Sequence, residues 1–140
     1  DRCDGYGGVS IFCHKSIRSQ LKQTNINSGI EIISVRLFNC NYLESIIGIY
    51  CPQSVRTTRR DWEAIFSQFT SNTLILGDFN AQHLTWSYKT DSRGSQLFDI
   101  VNECNLISLN DGSHTRIKLV AGNLQCSSPD ISFASPDIAF

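Results

Sequence analysis

The chain has 140 residues, of which 41% are hydrophobic and 18% are charged, and its formal net charge is −1. This composition is typical of one globular domain covering residues 1–140 and excludes an intrinsically disordered chain. The near-zero charge excludes a global attraction to nucleic acid, and no apolar run reaches the roughly 18 residues of a membrane-spanning helix.

Hydrophobic periodicity predicts six strands and two helices in the order β, β, β, α, β, α, β, β. Alternating or continuous apolar residues predict strands at 7–13, 30–38, 45–50, 73–76, 106–109 and 130–134. Apolar residues three and four positions apart predict helices at 58–69, which begins with a capping-box pattern, and at 92–104, with Asn105 suited to the C-terminal cap. Hairpin-like pairs beside helix-then-strand units predict an α/β fold with a mixed sheet and outer helices.

The six cysteines include no C-x-x-C pair, which argues against zinc and favours reduced thiols in an intracellular protein. The sequence also lacks a Walker loop and a G-x-G-x-x-G loop. It begins at Asp1 and contains no methionine, so we expect a piece of a larger reading frame or a trimmed product.

The segment GDFN, which ends a predicted buried strand, carries an acid and an amide at Asp78 and Asn80. One interpretation is a simple turn, because Gly, Asp and Asn are turn residues. The other is a site, because two oxygen-bearing groups on one face of a strand end suit a hard cation, an activated water or a phosphoryl oxygen. Phe79 would then point into the core.

Two further polar residues lie at predicted strand ends. Tyr50 closes an apolar strand, where a buried tyrosine with a satisfied hydroxyl is the simpler interpretation and contact with a phosphate the alternative. Asp130 precedes an alternating strand, where a buried carboxylate needs a partner such as a histidine.

Loop residues supply weaker candidates for substrate contact. His83 and Trp86 follow GDFN and could either touch nucleic acid or pack against the fold. Thr115 and Arg116 follow a turn and could place a hydroxyl and a guanidinium at the same rim.

The order of five segments resembles the endonuclease domain of non-LTR retrotransposons, most of all the jockey-type elements of arthropods, within the endonuclease/exonuclease/phosphatase superfamily. The segments are GGVSIF, IYCPQ, LILGDFNAQHLTW, SRGSQLFDIVNECNLISLNDGSHTR and SSPDISFAS. The resemblance implies a four-layer α/β sandwich, two packed mixed β-sheets flanked by helices, here truncated. It also implies an Mg²⁺-dependent DNA endonuclease, with Mn²⁺ as a substitute, that leaves a 3′-hydroxyl to prime reverse transcription.

The same resemblance implies a role for each residue. Tyr50 corresponds to a phosphate-contacting tyrosine, Asp78 to the aspartate that positions or deprotonates the attacking water, and Asn80 to the asparagine that holds the scissile phosphate. Asp130 corresponds to the carboxylate that orients a catalytic histidine, and Thr115 to a threonine near the phosphate. The implied partners are DNA and the reverse transcriptase of the same polyprotein, with action in the nucleus and no membrane.

Two functional residues of the family have no counterpart in residues 1–140. The metal-binding glutamate would lie before residue 1, and the catalytic histidine after the S-x-x-D-I motif, so the metal ligands are unknown and Asp78 is the remaining candidate. The sequence offers four glutamates and a histidine, all in other positions: Glu31, Glu44, Glu63, Glu103 and His114. We therefore expect the isolated 140-residue chain to bind Mg²⁺ poorly and to nick little DNA.

Two alternatives remain open at this stage. A phosphomonoesterase or phosphodiesterase of the same superfamily would share the fold and use another substrate. A decayed or domesticated copy would bind DNA without cleaving it.

Overall fold

A computed structural model describes residues 7–27, 29–67, 69 and 71–139, and the side chains of 24–27 are not considered. Within these residues the strands are β1 (Ser19–Asn27), β2 (Ile30–Leu37), β3 (Ser45–Tyr50), β4 (Thr73–Asp78), β5 (Ile107–Ser108), β6 (Arg116–Val120), β7 (Asn123–Ser127) and β8 (Asp130–Ala134). The helices are α1 (Arg59–Phe66), α2 (Ser92–Glu103) and α3 (Pro136–Ala139). No helix in this described part has the length and apolar character needed to cross a membrane.

Six strands form one mixed sheet in the order β1-β2-β3-β4-β8-β5, while β6 and β7 pair separately as an antiparallel hairpin. β3 and β4 are parallel, and the other neighbouring pairs of the large sheet are antiparallel. The parallel pair follows from the connection, because helix α1 lies between β3 and β4 and returns the chain to the same end. The predicted α/β class, with mixed sheets and flanking helices, is confirmed.

The core lies between the helices and one face of the large sheet. The buried residues of α1, Trp62, Ile65 and Phe66, recur at the predicted spacing of three and four. Trp62 and Phe66 contact Phe79 and Phe133, respectively, with ring centroids 6.0 and 6.4 Å apart. The capping box at Thr58 is confirmed. At the C-terminal end of α2 the C-cap is Cys104, and Asn105, which was expected at the cap, follows it with a left-handed φ of 54°.

The predicted strand at 7–13 is wrong, since these residues form no strand in the structure. Instead, Val9 and Ile11 lie over Gly48 of β3 with their side chains half-buried. The alternation therefore reflects a segment packed on a sheet face, because a period of two arises wherever an extended chain covers an apolar surface.

The sequence prediction also missed β1 and the β6–β7 hairpin. β1 has the polar sequence SQLKQTNIN, and every residue of β6 is exposed. Main-chain pairing stabilises both elements. Such pairing does not require apolar residues at alternate positions, so the sequence carries no hydrophobic period there.

Of the six cysteines, five lie in the described residues as free thiols, whereas Cys3 lies outside them.

Candidate active site

Three polar side chains lie in a row across neighbouring strands. In the ladder, Tyr50 of β3 is directly opposite Asp78 of β4, and Asp78 is directly opposite Asp130 of β8. Residues opposite each other in a sheet project from the same face with their Cβ atoms about 5 Å apart. The row opens into a cleft of about 400 Å³ that is lined by Tyr50, Gln53, Asp78, Asn80, Thr115, Arg116, Pro129 and Asp130.

Gly77 permits the close approach of β3 and β4 at this row. Its φ is 157°, and the carbonyl oxygen of Ile49 occupies the space in which a Cβ of residue 77 would lie. A side chain here would push the strands apart, so the glycine of GDFN keeps Tyr50 and Asp78 in register.

The GDFN segment is both a turn and part of the cleft. The backbone N–H of Asn80 donates to Oδ1 of Asp78 over 3.1 Å, and Asn80 adopts the left-handed conformation with φ of 46°. The Asn80 amide nitrogen donates to the carbonyl oxygen of Cys51 over 3.1 Å, which ties this turn to the loop after β3. Phe79 points into the core as predicted and is completely buried.

The environment of Asp78 favours its protonated form. Burial raises the pKa of Asp78 first, and the nearby carboxylate of Asp130 raises it further. The hydrogen bond from the Asn80 backbone, and the positive charges of Arg116 and Arg93, lower it in turn. The net pKa is above the ordinary value for aspartate, as expected for a carboxylate held beside another carboxylate.

The far wall of the cleft is built around Asp130, which is exposed, so the expectation of a buried carboxylate at this position is wrong. Its backbone N–H donates to the Thr115 hydroxyl over 3.3 Å, and its carbonyl accepts from the Asn110 side chain over 3.0 Å. The Asn110 oxygen in turn accepts from the backbone of Ser132 over 2.8 Å. These bonds place Thr115 and the adjacent Arg116 on the cleft, at the rim where the sequence suggested them.

Two of the predicted contact residues do not line this cleft. Trp86 is completely buried, and its indole N–H donates to the carbonyl of Ala81, so the packed alternative is correct and contact with DNA is wrong. His83 is stacked on Phe98, with ring centroids 4.0 Å apart, on the side of helix α2.

Sequence reasoning overlooked two residues near the site. Glu31 was set aside, yet it lies directly opposite Tyr50 in the β2–β3 ladder and therefore extends the row. Arg93 was noted only as part of a motif, but its guanidinium contacts the loops that carry Tyr50 and Asn80. The position of Glu31 beside the site could be found only from the strand register. Arg93 could have been found from the sequence, because the R-G pair lies at the start of the predicted helix.

The fold and the row of polar groups define an α/β domain with a polar cleft at the ends of its central strands. The structure is similar to the endonuclease domain of TRAS1, a telomere-specific non-LTR retrotransposon, with a TM-score of 0.67 and 18% identity over 89% of this chain and 58% of that one. The sequence model of the Endonuclease-reverse transcriptase family matches residues 45–140, and the chain belongs to that family.

Two curated relatives come from Drosophila melanogaster. The probable RNA-directed DNA polymerase from transposon BS is 28% identical over 115 residues, 81% of this chain and 13% of that protein. The corresponding protein from the X-element transposon is 30% identical over 69 residues, 49% of this chain and 8% of that protein. The chain thus spans a small part of the length of these relatives. Proteins of the endonuclease/exonuclease/phosphatase superfamily generally depend on a divalent metal ion.

Proposed function

We propose that this chain is the DNA-nicking domain of a non-LTR retrotransposon, which hydrolyses one phosphodiester bond and leaves a 3′-hydroxyl to prime reverse transcription. The observation that carries the proposal is the convergence of Tyr50, Asp78, Asn80 and Asp130 on one open cleft at a shared sheet edge. Tyr50, Asp78 and Asp130 come from three strands that are far apart in the sequence, and Asn80 lies in the loop that follows β4. Turn chemistry alone would not bring them together.

The proposed mechanism is in-line attack of water on a phosphate held in the cleft. Asp78 accepts a proton from the water or orients it, and its raised pKa brings it nearer to the working range of a general base. The amide nitrogen of Asn80 has a second N–H beyond the one bonded to Cys51, and this hydrogen can donate to a phosphate oxygen. The Tyr50 hydroxyl can donate to the same phosphate, stabilising charge that develops in the transition state.

The carboxylates in the row fit a divalent cation in part. No group of three or more His, Cys, Asp and Glu side chains that could hold a metal occurs among the described residues. Mg²⁺ is commonly bound through one or two carboxylates, with water and phosphate oxygens completing its shell, and Asp78 and Asp130 are such a pair. Bound there, Mg²⁺ or Mn²⁺ would neutralise charge on the phosphate and the leaving oxygen.

A basic groove beside the cleft supports DNA as the substrate. It has a volume of about 690 Å³, and it shares Gln53 and Arg116 with the cleft. Its lining includes His114, Lys89 and Lys118, whereas the whole chain has a net charge of −1. Positive charge that extends beyond one phosphate suits a polyanionic strand better than a small phosphomonoester. The proposed partners are accordingly DNA, in the nucleus, and the reverse transcriptase of the same polyprotein.

The test is nicking of supercoiled plasmid by the chain expressed within its full reading frame, with Mg²⁺, with Mn²⁺ and with chelator. Asp78→Asn is expected to lower the rate about 10²–10⁴-fold, as loss of a general base does. Asp99→Asn and Asn102→Ala, both on the exposed surface of α2, are the matched controls for Asp78→Asn and Asn80→Ala.

Three outcomes would contradict the proposal. Nicking that persists in both Asp78→Asn and Asn80→Ala would place the chemistry elsewhere. Release of inorganic phosphate from mononucleotides, without nicks, would indicate a phosphomonoesterase. Binding of DNA without cleavage, with either Mg²⁺ or Mn²⁺, would indicate a decayed or domesticated copy that only binds DNA.

A further inference from the structure

Arg93, the second residue of helix α2, is bonded to main-chain carbonyls of both loops at the candidate site. One terminal nitrogen of its guanidinium donates to the carbonyls of Phe79 and Asn80, each over 3.1 Å. The other donates to the carbonyl of Pro52 over 3.1 Å and to that of Val55. A single side chain therefore joins the loop that follows β3 to the loop that follows β4.

The same two loops meet at Asn80. Its amide donates to the carbonyl of Cys51, and its backbone has a left-handed φ of 46°, a conformation that asparagine tolerates better than most residues. Arg93 reinforces this connection, because it binds the Asn80 carbonyl and the carbonyl of Pro52, the residue next to Cys51.

We propose that Arg93 is a positioning residue, whose guanidinium fork holds the Asn80 amide in place relative to the loop that follows Tyr50. The inference rests on the proposed nuclease function for its kinetic consequence, but its geometric part stands on the four contacts. We assign Arg93 no direct role in the reaction, because it does not line the cleft and all four of its acceptors are main-chain carbonyls.

Lysine cannot replace arginine in this role. The guanidinium is planar with five N–H donors in fixed directions, whereas an ammonium group has three donors around one nitrogen. Four carbonyls on two separate loops can be bound together by the fork, and a lysine nitrogen would reach only some of them. The positive charge is a separable property, because lysine keeps it and glutamine removes it.

The experiment compares wild type, Arg93→Lys and Arg93→Gln, with Arg36→Gln on the distant β2 strand as the matched control. NMR records the side-chain amide signal of Asn80 in the 140-residue chain, and plasmid nicking is measured within the full reading frame. Both Arg93 variants are expected to shift and broaden the Asn80 signal and to lower kcat about 10–100-fold with little change in KM, the effect of a misplaced group. Arg36→Gln should change neither.

An unchanged Asn80 signal in both Arg93 variants would overturn the inference, whatever their activity. If Arg93→Gln does not fold, Arg93→Lys decides, and wild-type kcat in that variant would reduce Arg93 to a stabilising contact. If the wild-type protein, expressed within its full reading frame, does not nick DNA at all, the proposed function fails. The Asn80 signal then still tests whether Arg93 positions the Asn80 amide.

Discussion

Gly94, the third residue of helix α2, provides the sharpest test of how the site is assembled. In most helices Gly→Ala stabilises the protein by about 0.5–1 kcal/mol, because glycine loses more backbone entropy on folding. Here the expected sign is reversed, since the main-chain carbonyl of Gln82 occupies the space that an alanine Cβ would need.

The magnitude follows from what would have to move. Both sides of the contact are main chain, and they are held by Asp91, whose side chain accepts from the Gly94 N–H over 2.7 Å and whose N–H donates to Gln82 over 2.8 Å. Overpacking typically costs about 1–3 kcal/mol, and the upper end applies because no flexible side chain can yield. After the helix gain is subtracted, Gly94→Ala should destabilise the fold by roughly 2 kcal/mol.

The assay is thermal and urea unfolding followed by tryptophan fluorescence. For a domain of this size, roughly 2 kcal/mol corresponds to a melting temperature about 5–10 °C lower. Ser95→Ala, on the exposed side of the same helix turn, is the matched control and should be neutral or slightly stabilising. A Gly94→Ala protein as stable as wild type, or more stable, would refute the packing argument.

Three other predictions concern titratable groups and the start of α2. Because folding raises the pKa of Asp78, the folded protein binds this proton more tightly than the unfolded chain, so stability falls as pH rises through the carboxylate range. Asp78→Asn should therefore stabilise the protein at pH 7 and flatten this pH dependence, whereas Asp99→Asn should do neither. Equal melting curves for Asp78→Asn and wild type would contradict the assignment. Burial raises the pKa of the Cys51 thiol to about 11. Iodoacetamide at pH 8 should therefore modify the exposed Cys13 and spare Cys51 until the protein unfolds, which peptide mass mapping measures. Equal labelling rates for the two cysteines would be inconsistent with a buried Cys51. Asp91→Ala removes the N-cap of α2 and should lower the free energy of unfolding in urea by about 1–2 kcal/mol. Asp99→Ala, the control, should leave it unchanged. A decrease below about 0.5 kcal/mol for Asp91→Ala, the size expected for an exposed substitution, would show that the cap is dispensable.

Local sequence determined helices α1 and α2 and the central strands of this protein, but it did not predict the short helix α3. The helix pattern around Trp62 and the capping box at Thr58 need only neighbouring residues, so a period of 3.6 is visible without the fold. The identity of the cleft residues was also accessible, because Asp78, Asn80 and Tyr50 interrupt apolar strands with groups whose burial has to be compensated.

Tertiary structure decided which of those residues meet and which elements exist at the edges. The alignment of Glu31, Tyr50, Asp78 and Asp130 depends on strand registers between segments up to about a hundred residues apart, and no local period encodes register. β1 and the β6–β7 hairpin carry no clear hydrophobic period, and in the structure main-chain pairing defines them. The burial of Trp86 and the position of the Arg93 guanidinium also depend on the tertiary structure. Both side chains donate to main-chain carbonyl oxygens that only the folded loops bring within reach.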